Sequence, residues 1–134
     1  MAGDSRTPLS TKLGLRPGLR VRLVNVPPEV RSKLRSELAK CDTSGPRGVP
    51  IDFAWIFAIA RASLVEEFQR ATDALSPTGA IWASWPKKTS GLATDLDDRQ
   101  VREIGLKTGL VDVKVVAVSD RWSGLKFVRR LKDR

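Results

Sequence analysis

From residue 20 onward, short apolar runs alternate with stretches whose apolar positions recur every three or four residues. Arg20-Val21-Arg22-Leu23 switches between polar and apolar at each step and leads into Val24-Asn25-Val26, which predicts a half-exposed strand at a sheet edge. Pro27-Pro28 ends that strand and presets the backbone for a helix start. Val30, Leu34 and Leu38 then share one helical face, with Arg31, Lys33 and Arg35 off it. Cys41 to Pro50 holds two Gly and two Pro and reads as a loop. Ile51 to Ile59 is apolar almost throughout, the mark of a strand covered on both faces.

Ser63-Leu64-Val65-Glu66 has capping-box spacing, and it opens a helix with Leu64, Phe68, Ala71 and Leu75 on one face. Pro77-Thr78-Gly79 closes that helix, and Ala80 to Trp85 is a third strand stopped by Pro86. The polar loop Lys87 to Ala93 leads to a helix capped by Thr94 or Asp95 and closed by Gly109. Val111 to Val118 is a fourth strand; after Ser119-Asp120-Arg121, Trp122 to Arg129 is a fifth, antiparallel to it. Strands spaced by helices imply right-handed βαβ units closed by a hairpin. The expected fold is a single Rossmann-like three-layer α/β domain. It has about five strands, mostly parallel with the last antiparallel, and about three helices. A flexible lead over residues 1–11 and a basic tail over 131–134 flank a domain at 12–130.

Length adds that one core suffices, since 134 residues make one domain. The lone Cys41 excludes an internal disulfide and fits a reducing cytosol, so a cytoplasmic location is expected. The longest apolar run, Phe53 to Ala60, is too short to span a bilayer, and no membrane partner is expected.

Charge changes the picture more. The net charge is +9, with 24 Lys/Arg against 15 Asp/Glu and no His. The excess lies at the ends: ten Lys/Arg against four Asp/Glu in residues 1–50, seven against eight in 51–110, and seven against three in 111–134. Arg16, Arg20, Arg22, Arg129 and Arg130 are thus candidates for weak, non-specific nucleic-acid contact, although a solubilising surface accounts for the same charge.

Several segments resemble a known family. Leu13-Gly14-Leu15-Arg16-Pro17-Gly18-Leu19-Arg20-Val21 looks like the entry to the first strand of S-adenosylmethionine-dependent methyltransferases. Ile51-Asp52-Phe53 and Leu75-Ser76-Pro77-Thr78-Gly79-Ala80-Ile81 look like that fold's fourth strand, helix and fifth strand, and the last hairpin like its sixth and seventh. The resemblance implies that the family's second and third strands are absent here. Residues 12–130 also resemble a small bacterial family called domain of unknown function 3052. That match rests on Trp85-Pro86-Lys87-Lys88-Thr89-Ser90-Gly91, Gly109-Leu110-Val111-Asp112-Val113-Lys114-Val115 and Trp122-Ser123-Gly124-Leu125-Lys126-Phe127-Val128. It implies no assigned activity. The methyltransferase cofactor needs a glycine turn after the first strand and a carboxylate on the next. Here Asn25-Val26-Pro27-Pro28 follows the first strand, so no cofactor is expected.

In such sheets ligands sit beyond the carboxyl ends of the strands. The methyltransferase order inserts the fifth strand between the third and fourth, bringing Trp122-Ser123-Gly124 beside Trp85-Pro86-Lys87-Lys88. Lys87, Lys88, Thr89, Ser90, Gly91 and Thr94 supply ammonium groups, hydroxyls and backbone amides before a helix start, all suited to an anion. Trp85 or Trp122 could give a base a flat wall, with Ser123 alongside; packing in the core is the other reading of both rings. The partner expected is a phosphate-bearing small molecule or nucleotide. Without His and with one Cys, neither a metal site nor a catalytic residue is expected. The expected function is a non-enzymatic binding or regulatory module. A nucleic-acid-associated protein is the alternative, and a residual transferase a further one.

Overall fold

The computed structural model describes residues 7–45 and 48–134. Five strands form one sheet in the order β1-β2-β3-β5-β4: β1 Val21–Val24, β2 Ile51–Phe57, β3 Leu75–Pro86, β4 Leu110–Ala117 and β5 Trp122–Arg129. The first three run parallel, and β5 pairs antiparallel with both β3 and β4. The expected edge position of β1 and the inserted fifth strand both hold.

Position explains composition. β2 is central and covered on both faces, and six of its seven residues are buried. β1 lies at the rim, where Val21 is buried and Arg22, Leu23 and Val24 are only partly so. Helices α4 (Arg61–Ala74) and α5 (Asp98–Lys107) cover one face. Leu64, Phe68 and Ala71 of α4, and Val101, Ile104 and Gly105 of α5, meet Ala54, Ile56, Ile81 and Phe127 there. Gly105 lies directly on the Phe127 ring, where a Cβ would come within 2.1 Å of Cε2. The other face carries α1 (Leu9–Leu13) and the short α2 (Pro28–Lys33) and α3 (Arg35–Leu38). Leu13, Leu15, Val30 and Leu34 pack there on Phe53, Trp55, Phe57 and Trp82. Trp82 Nε1 donates to Leu13 O at 2.8 Å and ties α1 to the sheet centre.

The structure corrects several boundaries. Among the described residues there are five α-helices rather than about three, because α1 forms and the expected helix after Pro28 breaks at Leu34, whose φ is −113°. α1 (Leu9–Leu13) crosses the expected boundary at residue 11; residues 1–6 of the expected lead lie outside the described residues. Leu131–Asp133 of the tail forms a 3-10 turn. α4 starts at Arg61 with Ala60 at its cap, so Ser63 is no capping box: its Oγ donates to Ala60 O. The cap of α5 is Asp97, which accepts from the Gln100 amide at 2.9 Å, rather than Thr94 or Asp95. β3 starts five residues early, and the extra residues make a register shift against β2 between Ile51 and Phe53. Among the described residues no helix is long and apolar enough to cross a membrane.

Candidate functional site

At the carboxyl edge, β1 ends in Asn25, whose φ of 57° is left-handed, a conformation that Asn tolerates better than most side chains. Pro27 and Pro28 follow, and neither has an N–H to offer. On the outer side of β1 an isolated parallel bridge joins Arg20 to Asp42, at the strand's amino end. Asp42 accepts from the amide and hydroxyl of Ser44, which hold its carboxyl below the ordinary carboxylate range. A hollow of about 230 Å³ opens at this amino end, lined by Arg20, Leu23, Asp42, Ser44, Pro50 and Ile51 among others.

The loop after β3 closes over the end of β2. Thr94 Oγ1 donates to Ile59 O at 2.6 Å, and Asp95 Oδ1 accepts from the Arg61 amide at 2.7 Å. Asp95 therefore caps α4 from 34 residues away. Its carboxylate favours the positive end of that helix, and the surface beyond β2 is occupied by the chain itself.

The two segments expected to meet do meet. Trp85 pairs with Ser123 and Pro86 with Trp122, and the Lys87 amide donates to Arg121 O at 2.8 Å. Lys87, Lys88 and Arg121 thus share the carboxyl edge, and among the described residues none has a carboxylate within 4 Å. Lys88–Ser90 is a 3-10 turn ended by Gly91 at φ +80°. Other candidates are engaged elsewhere. Ser90 Oγ accepts from the Leu92 amide, and Thr94 Oγ1 accepts from the Leu96 amide besides its bond to Ile59. Thr89 is exposed, and Ser123 is half-buried within β5.

The two tryptophans do not form a wall. Trp85 is 6% exposed and packs on the α4–α5 side, while Trp122 is 8% exposed on the opposite face, edge-on to Phe57 at 5.0 Å. Both are core residues, as their alternation along adjacent paired strands requires.

The five arginines do not make one surface. Arg20 Nε donates to Pro50 O and lies 3.7 Å from Asp52. Arg129 donates to Thr72 O and Leu75 O, binding β5 to the end of α4. Arg22 faces Glu67, Arg70 and Asp73 of α4, and Arg16 lies on the other side of the sheet near Lys126. Arg130 is exposed. Cys41 donates to Arg16 O and Glu37 O, and burial pushes its thiol pKa up, which opposes a nucleophilic role.

Two groups escaped sequence reasoning. Arg121 looked like one residue of a turn; its closeness to Lys87 needs the antiparallel register of β3 and β5. Lys114 and Lys126 looked like the polar positions of alternating strands, and only the β4–β5 register places them opposite each other.

No family model matches the chain, and no curated protein matches it. Solved structures do. Magnesium protoporphyrin IX methyltransferase from Synechocystis PCC 6803 with bound SAH aligns over 96% of this chain and 82% of its own, at 14% identity and TM-score 0.59. A putative methyltransferase from Thermoplasma acidophilum aligns over 93% and 75%, at 11% identity and TM-score 0.59. A methyltransferase from Pyrococcus furiosus aligns over 95% and 82%, at 15% identity and TM-score 0.55. At such identities the likeness speaks to architecture alone: the chain has the Rossmann-like, methyltransferase-like α/β fold.

Proposed function

We propose that this chain is a non-enzymatic binding module built on a methyltransferase-like sheet without the cofactor site, and that it takes a phosphate-bearing ligand at Lys87, Lys88 and Arg121. The residues where S-adenosylmethionine would sit do not fit it. Asn25-Val26-Pro27-Pro28 offers few amides, β1 is an edge strand with no further strand beyond its carboxyl end among the described residues to carry a ribose-binding carboxylate, and the loop over β2 fills its carboxyl end. Membership of the domain of unknown function 3052 family belongs to the same reading and adds no activity.

One observation carries the ligand assignment: the 2.8 Å bond from the Lys87 amide to Arg121 O. It holds the backbone of Lys87 and Lys88 beside that of Arg121, so three cationic residues leave the same edge next to the Gly91 turn. Asp120 lies in the same turn and forms no ion pair with them among the described residues. The module is a charged surface rather than an aromatic slot, since both tryptophans are in the core.

Titration calorimetry with ADP at low salt tests this. The double variant Lys87→Ala/Lys88→Ala weakens binding by roughly tenfold or more, because charge-assisted bonds to phosphate are lost, and its thermal melt stays within a few degrees of wild type. Equal affinity in the variant, or no heat from wild type with ADP or inorganic phosphate, overturns the reading.

A further inference from the structure

We propose a second anion site, on the face of the sheet rather than its edge, in which Lys126, Lys114 and Arg16 receive the phosphate group of a small molecule beside the end of α1. Lys126 and Lys114 are direct cross-strand partners in β5 and β4. Like charges directly opposite on a sheet destabilise the pairing, so this arrangement is unfavourable until an anion joins it. Lys126 also pairs with Trp82 of β3, which fixes its side chain on the face that carries α1. There Gly14 covers it: a Cβ at Gly14 would stand 3.7 Å from Lys126 Nζ.

A purely structural role explains part of the cluster and leaves a remainder. Lys114 Nζ donates to Lys12 O at 3.0 Å and so clips α1 to the sheet. Leu13 O is already taken by Trp82 Nε1. Lys126 has no such partner: among the described residues it has no carboxylate within 4 Å and no hydrogen-bond acceptor. Burial, and then Lys114 and Arg16, press its pKa below the ordinary lysine value. A partly buried cation held against two others and left unpaired is costly in the free protein.

The chemistry that relieves it is a compact anion with several acceptor oxygens. Phosphate meets two ammonium groups and a guanidinium at once, where a single carboxylate would leave one unpaired. Beside the cluster, Ala80, Val128 and Val111 lie in register on the same face and are only half-buried. They give the body of the ligand an apolar floor. Lys114 and Lys126 are a cross-strand pair and Arg16 acts on Lys126 from beside α1, a compact group of three charges that suits a small molecule better than a polymer backbone.

This site does not depend on the one at Lys87 and Lys88, and amide-resolved NMR separates them. The full chain is titrated with inorganic phosphate and with ADP at low ionic strength. The expected result is shifts at the Gly14, Arg16 and Lys126 amides, with affinity at least about tenfold weaker in Lys126→Gln and in Arg16→Gln. Arg16 is exposed, so its variant keeps the test valid if Lys126→Gln disturbs the fold. Shifts confined to residues 87–91 overturn this site and leave the edge site standing; unchanged affinity in Arg16→Gln overturns it as well. Shifts here with a DNA duplex but not with phosphate or ADP overturn the small-molecule assignment.

Discussion

Lys126 shows how one side chain can oppose the fold that holds it. Its ammonium is kept below its ordinary value of 10.5 by burial first, and then by Lys114 and Arg16; Lys12 lies on the helix packed above. A folded-state pKa below the unfolded one means that the folded chain binds this proton less tightly. Stability contributed by this group therefore rises with pH, from the depressed value up toward 10.5. Urea melts across the alkaline range should show wild type gaining stability relative to Lys126→Gln as pH climbs, and a constant difference between the two would contradict it. In the sequence, Lys126 is one polar residue in an alternating strand. Its burial comes from Gly14 and Trp82, residues 112 and 44 positions away, so no local pattern could reveal it. The tryptophans were more legible: strand alternation alone puts Trp85 and Trp122 on opposite faces once their strands pair.

At the scale of elements, the loop from Lys87 to Asp97 serves two helices at once. Asp97 caps α5 in the usual local way, while Asp95 caps α4 across the carboxyl edge. A run of carboxylates before a helix reads as one cluster serving that helix, because capping rules are local. Ser63-Leu64-Val65-Glu66 has local capping-box spacing, whereas α4 begins at Arg61 and is capped from the distant Asp95. Asp95→Ala should cost about 1 kcal/mol, the usual value of a lost helix cap, and should raise amide exchange at the start of α4 while leaving α5 unchanged. Equal exchange at both helices would show that Asp95 does not act across the edge. The strands themselves were readable to within a residue or two at β1, β2, β4 and β5, although the apolar run of β4 leaves Val113 and Val115 exposed. The start of β3 was not: Pro77 and Gly79 look like a turn, yet they sit within a register shift of an extended segment.

Across the whole molecule, sheet order sets what the protein can do. Parallel β1, β2 and β3 with an inserted antiparallel β5 give the methyltransferase-like architecture, and they leave β1 exposed at the rim. That order was legible from the alternation of elements and the terminal hairpin, because crossover handedness and hairpin pairing admit few alternatives. The candidate site was legible only as a place. The meeting of residues 85–88 with 122–124 followed from topology, whereas Arg121, the engagement of Ser90 and Thr94, and the dispersal of the arginines required coordinates. Basic charge is spread over both faces and the carboxyl edge, which fits discrete anion sites better than one nucleic-acid groove. The proposed module is a methyltransferase-like sheet that binds phosphate and not the methyl donor. Parallel calorimetric titrations of the wild-type chain with ADP and with S-adenosylmethionine test it most directly. Saturable binding of ADP with none of S-adenosylmethionine is the predicted result; saturable binding of S-adenosylmethionine that survives Lys87→Ala/Lys88→Ala would contradict it.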